Sequence, residues 1–282
     1  MKPTGWVVGG GLCFAVLILV LTALLALHSR GRELRSARNQ LRSMDLLLAE
    51  QTDAALKSVD LVLDRLADDI GARHITTPEE LQRDMAGQAR HLELAGKIAG
   101  IPQLDALSVI GADGRLINFS RYFPAPALDA ADRDYFQALR AAPASGTFIG
   151  QPVANRGTNA ETIYLARRLN AVDGTFLGLL LGAISTEYFR TLYDGVRENS
   201  AIAISLWRTD GTLLVRAPPP PAIPEAHRLP PATLPHIRRG RPSLFETRHG
   251  TDVLLLVASM IPLDGQVVVS VTEPVAAALA DW

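Results

Sequence analysis

"LSVIGADGRLINFS" at residues 107–120 and "ISLWRTDGTLLVRA" at 204–217 superpose on their Asp-Gly pairs, 97 residues apart (210 − 113). Each is an apolar run, a turn dipeptide and a second apolar run, which is the pattern of a β-hairpin. Asp and Gly both tolerate positive φ, so the pair predicts a two-residue type I′ turn. Two more such pairs, Asp173-Gly174 and Asp264-Gly265, lie 91 residues apart (264 − 173). A module of roughly 90–100 residues with a hairpin near each end therefore occurs twice.

Upstream of the first module the period changes from two to three and four. Leu34, Ala37, Leu41, Met44 and Leu48 are spaced 3, 4, 3, 4, and Leu56, Val59, Leu63, Leu66 and Ile70 repeat that spacing after a slip around Gln51–Ala55. This is a long amphipathic helix with coiled-coil-like heptads, which favour a parallel homodimer. Gly71 ends it. A second helix starts at Thr77, with Pro78 at its first position and Glu80 completing a capping box. Before the long helix, residues 5–27 carry no charge. Twenty or so apolar residues span a bilayer as a helix, and there is no small-residue cleavage site, so the stretch reads as an uncleaved transmembrane helix. Gly5 and Gly9 form a G-x-x-x-G, which either packs two such helices closely or is ordinary membrane-helix glycine. Arg30, Arg32, Arg35 and Arg38 outnumber Lys2, a charge bias that would leave the C-terminal side in the cytoplasm, although long segments cross largely regardless of charge.

Between the modules, Phe189, Leu192, Tyr193 and Val196 fall at i, i+3, i+4 and i+7, giving an amphipathic bridging helix. The proline-rich stretch 217–242 reads as a surface loop partly in polyproline conformation, because proline cannot sit in a central strand. Net charge is −1, so nothing points to nucleic acid. One cysteine, Cys13, excludes an internal disulfide and a cysteine-based metal site. The six histidines lack metal-ligand spacing, there is no G-x-S-x-G elbow, and Gly9–Gly11 sit in the apolar segment rather than at a strand-to-helix turn. The chain reads as neither enzyme nor cofactor protein.

"DRDYFQAL" (132–139) places Arg133 at the start of a helix, where the dipole gives a cation nothing. Either Arg133 pairs with Asp129 or Asp132 at the surface, the simpler reading of the residues, or it combines with free backbone N–H groups to hold an anion. Tyr135 and Phe136 are about 100° apart on a helix, so one packs inward while the other borders a ligand. In "ETIYLARRL", Ile163, Leu165 and Leu169 share the face toward the long helix, and Thr162, Tyr164 and Ala166 share the other. By the same alternation Ala183 and Ser185 close the pocket.

The order and spacing of "LDALSVIGADGRL", "DRDYFQAL", "TFIGQPV", "IYLARRLNAVDGTFLGLLLGAI", "EYFRTLY", "ISLWRTDGTLLVRAP" and "SVTEPVAAALADW" resemble the double Cache (PAS-like) extracytoplasmic sensors of bacterial diguanylate cyclases, histidine kinases and chemoreceptors. The resemblance covers most of residues 30–282. It implies an α+β fold: a transmembrane helix and long stalk helix followed by two tandem PAS-like modules with antiparallel sheets. The divisions are 1–29 cytoplasmic tip and membrane helix, 30–72 stalk, 73–195 membrane-distal module, 196–275 membrane-proximal module, and 276–282 the start of a connector to a second membrane helix.

The resemblance also implies a short N-terminus inside, a sensor region in the periplasm and an inner-membrane anchor, with the output domain absent from this chain. The alternative is a stand-alone anchored binding or scaffold protein. Arg133, Tyr135, Phe136, Thr162, Tyr164 and Ser185 become the expected ligand-binding residues of the distal module. Amino-acid-binding members add a tyrosine five residues before the arginine and an aspartate late in the last strand. This chain has Leu128 and Ala183 there, so an α-ammonium would lack its counter-charge, and an organic acid or other small anion is the expected ligand. The second module lacks an "R-x-Y-F" and is expected to transmit rather than bind.

Overall fold

The structure is a computed structural model describing residues 4–141, 146–156, 158–197, 200–220, 228–229, 233–249, 253–262 and 265–280. One continuous helix, α1 (Thr4–Gly71), runs through both the apolar segment and the stalk. Its 68 residues make a rod of about 100 Å. The side chains of Phe14, Leu17, Leu21 and Leu24 are exposed, and the helix is long and apolar enough to cross a membrane. Past Leu34 the same helix becomes the spine of the fold.

Two six-stranded sheets pack on that spine. The first contains β1 (Leu104–Gly111), β2 (Leu116–Phe119), β3 (Thr147–Ile149), β4 (Val153–Ala154), β5 (Glu161–Asn170) and β6 (Phe176–Ser185), in the order β2-β1-β6-β5-β3 with β4 beside β5. The second contains β7 (Ala203–Arg208), β8 (Leu213–Ala217), β9 (Arg238–Arg239), β10 (Ser243–His249), β11 (Val253–Ile261) and β12 (Val267–Pro274), in the order β8-β7-β12-β11-β10 with β9 beside β11. Traced from the hairpin inward, the two orders are the same, so the sequence repeat is a structural repeat. Arg38 of α1 pairs with Glu246 of β10, while Asp60 and Asp64, further along, pair with Arg167 of β5. The second sheet is thus nearer the apolar segment, and the first is distal to it.

The heptad stripe has a different partner from the one its spacing suggests. Leu41, Leu48, Leu56, Val59, Leu63, Leu66 and Ile70 are buried in one core with strand residues of both sheets. At about 1.5–3 kcal/mol for each fully buried aliphatic side chain, this packing dominates the fold. The stripe is consumed inside the chain and is not available to a second stalk helix. Where the heptads slip, Thr52 is buried and its hydroxyl lies 3.1 Å from the Tyr193 hydroxyl. Met44 is only partly buried, and Asp45 takes the buried position beside it.

The Asp-Gly turns are also not type I′. Only the glycines have positive φ, +88° at Gly114, +88° at Gly174 and +89° at Gly211. The aspartates instead accept the amide two residues on, at 3.0 Å for Asp113 and Arg115, 2.9 Å for Asp173 and Thr175, and 3.0 Å for Asp210 and Thr212. Each glycine N–H closes an i→i+3 turn, as from Gly114 to the Gly111 carbonyl. This is the longer hairpin loop, ending in a left-handed glycine, and it accounts for the bulges in β1/β2 and β7/β8. Asp264 and residues 221–227 and 230–232 of the proline-rich stretch lie outside the described residues.

Four further helices position the site. In α2 (Pro78–Met85), Thr77 caps the Glu80 amide at 3.2 Å, while Glu80 reaches back one residue further than a capping box requires, to the Thr76 amide. Next comes α3 (Gln88–Lys97), and then α4 (Asp134–Ala141), which lies on the outer face of the distal sheet, away from α1. The bridging helix α5 (Thr186–Val196) buries Phe189 and Tyr193 but leaves Val196 exposed.

Candidate functional site

Between α4, the loop before it and the outer face of the distal sheet is a half-open cavity of about 60 Å³. That is room for about four to six water-sized positions, the size of a small acid. Its floor alternates along the strands as pleating requires: Ala106, Ser108 and Ile110 from β1, Leu181 and Ala183 from β6, and Tyr164 from β5. Tyr164 stands directly opposite Ala183, and Ser108 opposite Leu181. The walls carry Arg133 and Tyr135 at the start of α4, Asn155 and Arg156 from the loop after β4, and Phe119 and Tyr122 from the end of the first hairpin.

Arg133 does not make the surface pairing its neighbours suggest. Asp132 is paired with Arg156 at 2.7 Å, and Asp129 accepts the Ala131 amide at 2.8 Å. The Arg133 guanidinium makes one long hydrogen bond, 3.4 Å to the Ala154 carbonyl, and no ion pair among the described residues. A half-buried cation without a counter-charge is costly unless something negative arrives. The Tyr135 and Tyr164 rings pack at 5.4 Å between centroids, and neither hydroxyl has a hydrogen-bond partner among the described residues. Burial raises both phenols above the ordinary range, while the nearby Arg133 charge pulls the other way. Both are therefore neutral donors. Of the two guanidinium groups on the cavity, Arg156 is already paired with Asp132, and Arg133 is left with the Tyr135 and Tyr164 hydroxyls beside it; the one carboxylate on the lining, Asp129, is exposed and engaged with its own loop.

Of the six residues expected to bind ligand, the fold brings Arg133, Tyr135 and Tyr164 together on the cavity. Phe136 is not on it. Both consecutive aromatics are buried, Tyr135 toward the cavity and Phe136 behind it, edge-on to Phe176. Thr162 and Ser185 face each other one pleat beyond the Tyr164–Ala183 pair, where the cavity has ended. There Thr162 donates to the Ala160 carbonyl, and Ser185 caps α5 through the Glu187 amide at 3.2 Å. Leu128 and Ala183, the positions where the tyrosine and the aspartate are missing, both line the cavity. Residue reading alone passed over Arg156, Asn155, Phe119, Tyr122 and Ser108. The Arg156 signal was available in principle, as a basic residue in a short polar loop facing two aspartates.

Asp134, between Arg133 and Tyr135, points the other way. Its carboxylate accepts the Gln151 amide at 3.0 Å and pairs at 3.1 Å with Arg208, which belongs to β7 of the other module. Arg208 also donates to the Ile149 carbonyl at 2.8 Å and lies over the Phe148 ring. The cavity wall and the proximal hairpin thus share one ion pair.

No family model matches the chain, and a search of curated proteins finds no significant match. Solved structures do match over nearly the whole fold. The extracellular domain of rpHK1S-Z16, described as a histidine kinase, is 24% identical with a TM-score of 0.68, covering 88% of this chain and 99% of that one. The periplasmic sensory domain of the Campylobacter jejuni chemoreceptor Tlp1 has a TM-score of 0.64 at 14% identity, covering 89% and 99%. The ligand-binding domain of the Pseudomonas aeruginosa chemoreceptor PctB, solved with L-Gln, has a TM-score of 0.59 at 16% identity, covering 86% and 93%. With two sheets of one strand order on a shared helix, the chain has the double Cache fold of the extracellular sensory and ligand-binding domains of histidine kinases and chemoreceptors.

Proposed function

We propose that this chain is the membrane-anchored sensor region of a signalling protein, and that its distal module binds a small carboxylate. The observation that carries the reading is Arg133, a guanidinium on a small cavity with no carboxylate partner among the described residues. A carboxylate there accepts a forked pair of bonds from Arg133 and further bonds from the Tyr135 and Tyr164 hydroxyls. With Ala183 at the place of the aspartate in amino-acid-binding members, the one carboxylate on the cavity is Asp129, exposed and bonded to its own loop, so an α-ammonium has no counter-charge on the cavity floor. Thus the ligand differs in class from the L-Gln held by PctB.

The anchor is the apolar first part of α1, a single pass of the inner membrane with the two modules outside. Ligand closure on Arg133 and Tyr135 moves the start of α4. Through Asp134 and Arg208 the displacement reaches the proximal module, and through the common core it reaches α1. Pairing of two chains through the membrane-spanning segment, rather than through the buried stalk stripe, is the form of dimer consistent with this packing.

The test is titration calorimetry on the full chain in detergent, with acetate, pyruvate and succinate against L-isoleucine and L-glutamine. At least one of the acids should bind, and the amino acids should not. Arg133→Ala should weaken the acid about 100-fold or more, the loss of roughly 3 kcal/mol of charge-assisted hydrogen bonding. Tight amino-acid binding with no acid binding overturns the reading.

A further inference from the structure

The repeat allows the distal cavity to be mapped onto the proximal module position by position. The 97-residue offset carries the cavity-lining set Ala106, Ser108, Ile110, Leu116 and Phe119 onto Ala203, Ser205, Trp207, Leu213 and Arg216. Strand register extends the map: Ser108 opposes Leu181, which opposes Ala166, whereas Ser205 opposes Ser270, which opposes Ser259. Arg216 stands directly across from Ser205 on the other side. Directly opposed residues in an antiparallel pair point to the same face. The proximal sheet therefore carries Arg216, Ser205, Ser270 and Ser259 in one row, on the face turned away from α1, where the matching distal row is Phe119, Ser108, Leu181 and Ala166.

Among the described residues, that row and its neighbour Trp207 contain polar groups that the fold leaves without partners. The Nε of Arg216 is buried without a hydrogen-bond partner, and no ion pair reaches this guanidinium among the described residues. Burial lowers its pKa from the usual arginine range, with no acidic group opposing the effect. Ser205 is 1% exposed, and its hydroxyl is unpartnered. The Nε1 of Trp207, one pleat along, is buried and unpartnered too. Ser259 and Ser270 bond only each other, at 2.8 Å. Glu273, the nearest acidic residue on β12, alternates onto the opposite face, with Val269 and Val271 of the spine core. A part-buried guanidinium with no counter-charge and two buried donors left unmade are expensive for a fold to keep without an occupant.

We propose that this face of the proximal module is a second binding site, for a small monocarboxylate gripped by Arg216, with the Ser205 hydroxyl and the Trp207 N–H as further donors. One guanidinium matches one carboxylate, and the serine row suits a keto or hydroxyl oxygen on the next carbon. The two sites are independent: the distal one needs Arg133, this one Arg216.

The experiment uses the full chain in detergent carrying Arg133→Ala, titrated calorimetrically with sodium acetate and sodium pyruvate, with sodium chloride as the ionic control. One equivalent of at least one acid should still bind per chain, and adding Arg216→Gln should weaken it at least tenfold. Without acid, Arg216→Gln should melt no lower than its parent, because it removes an unpaired charge. An arginine kept for structure would give the opposite shift. Ser205→Val, which keeps the charge and a β-favourable shape, should weaken the acid about fivefold, so the site stays testable if the arginine variant does not fold. No acid uptake by the Arg133→Ala chain, or uptake unchanged by Arg216→Gln and Ser205→Val, overturns the proposal. Loss of distal binding alone leaves this titration unaffected.

Discussion

Asp45→Asn should make the protein more stable, and by an amount that depends on pH. Asp45 sits on the buried stripe of α1 with no exposed surface, and neither carboxylate oxygen has a hydrogen-bond partner among the described residues. Burial pushes its pKa up from 3.8 to about 8. A folded-state pKa above the unfolded one means that the folded state holds its proton longer. The contribution to stability is therefore full below about pH 4 and is lost as pH rises through 8. At 1.36 kcal/mol per pKa unit, the cost at pH 7 is about 4 kcal/mol, and the whole change between pH 4 and pH 8 is about 5 kcal/mol. The charge is also felt across the core by Tyr193 of α5, whose pKa Asp45 raises, though burial is the larger cause there and the Thr52 hydroxyl opposes it.

Asparagine is the right replacement because it has the shape and hydrogen-bonding of the protonated acid and cannot ionise. Melting in detergent should show wild type and Asp45→Asn converging near pH 4. By pH 7 they should separate by about 10 °C, at about 2–4 °C per kcal/mol for a fold of this size. If the two melting temperatures stay parallel from pH 4 to pH 8, or if the variant melts lower at pH 7, Asp45 has a partner and the reasoning fails.

Three other outcomes follow from the same geometry. Ala183→Asp puts a carboxylate on the cavity floor opposite Tyr164, and calorimetry should show weaker binding of acids and new binding of L-amino acids, since an ammonium then has its counter-charge. Gly178→Ala should cost about 3 kcal/mol or more in a melting assay, because φ is +152° and a Cβ there would lie 2.1 Å from the Ile110 carbonyl oxygen, which belongs to a paired strand. Arg208→Ala should lower stability by about 1–3 kcal/mol by leaving the part-buried Asp134 without its charged partner, while distal affinity measured by calorimetry changes less than threefold.

The fold was legible where local chemistry and periodicity agree. Asp-Gly between apolar runs marked the hairpins, and the 3–4 spacing from Leu34 to Ile70 marked the spine. What spacing cannot show is the partner. The same heptads serve a coiled coil or a sheet, and here the two sheets of the chain itself take them. The turn type was misread for a similar reason: the aspartate can occupy a positive-φ position or bond its own amide two residues on, and it does the latter. At the site, Arg133, Tyr135 and Tyr164 were readable because helix start and strand alternation place them. Thr162 and Ser185 share the right alternation but stand one pleat too far along, and alternation carries no information about where a cavity ends. Arg156 and Tyr122 arrive on loops whose return path only tertiary structure sets.

Arg133, Arg216 and Asp45, each without a counter-charge among the described residues, are tolerated in different ways. Arg133 and Arg216 lie on the outer faces of the two sheets, partly accessible, where a ligand from solvent can supply the missing negative charge. Asp45 is buried on the spine itself, out of reach of an anion from solvent. The first two therefore respond to anions at constant pH, and the third to pH at constant anion. A carboxylate titration at pH 7 that moves the melting temperature through the arginines should leave the wild-type and Asp45→Asn difference unchanged. If acid binding abolishes that difference, the outer face and the spine are coupled through the sheet, and the three charges act as one device rather than three.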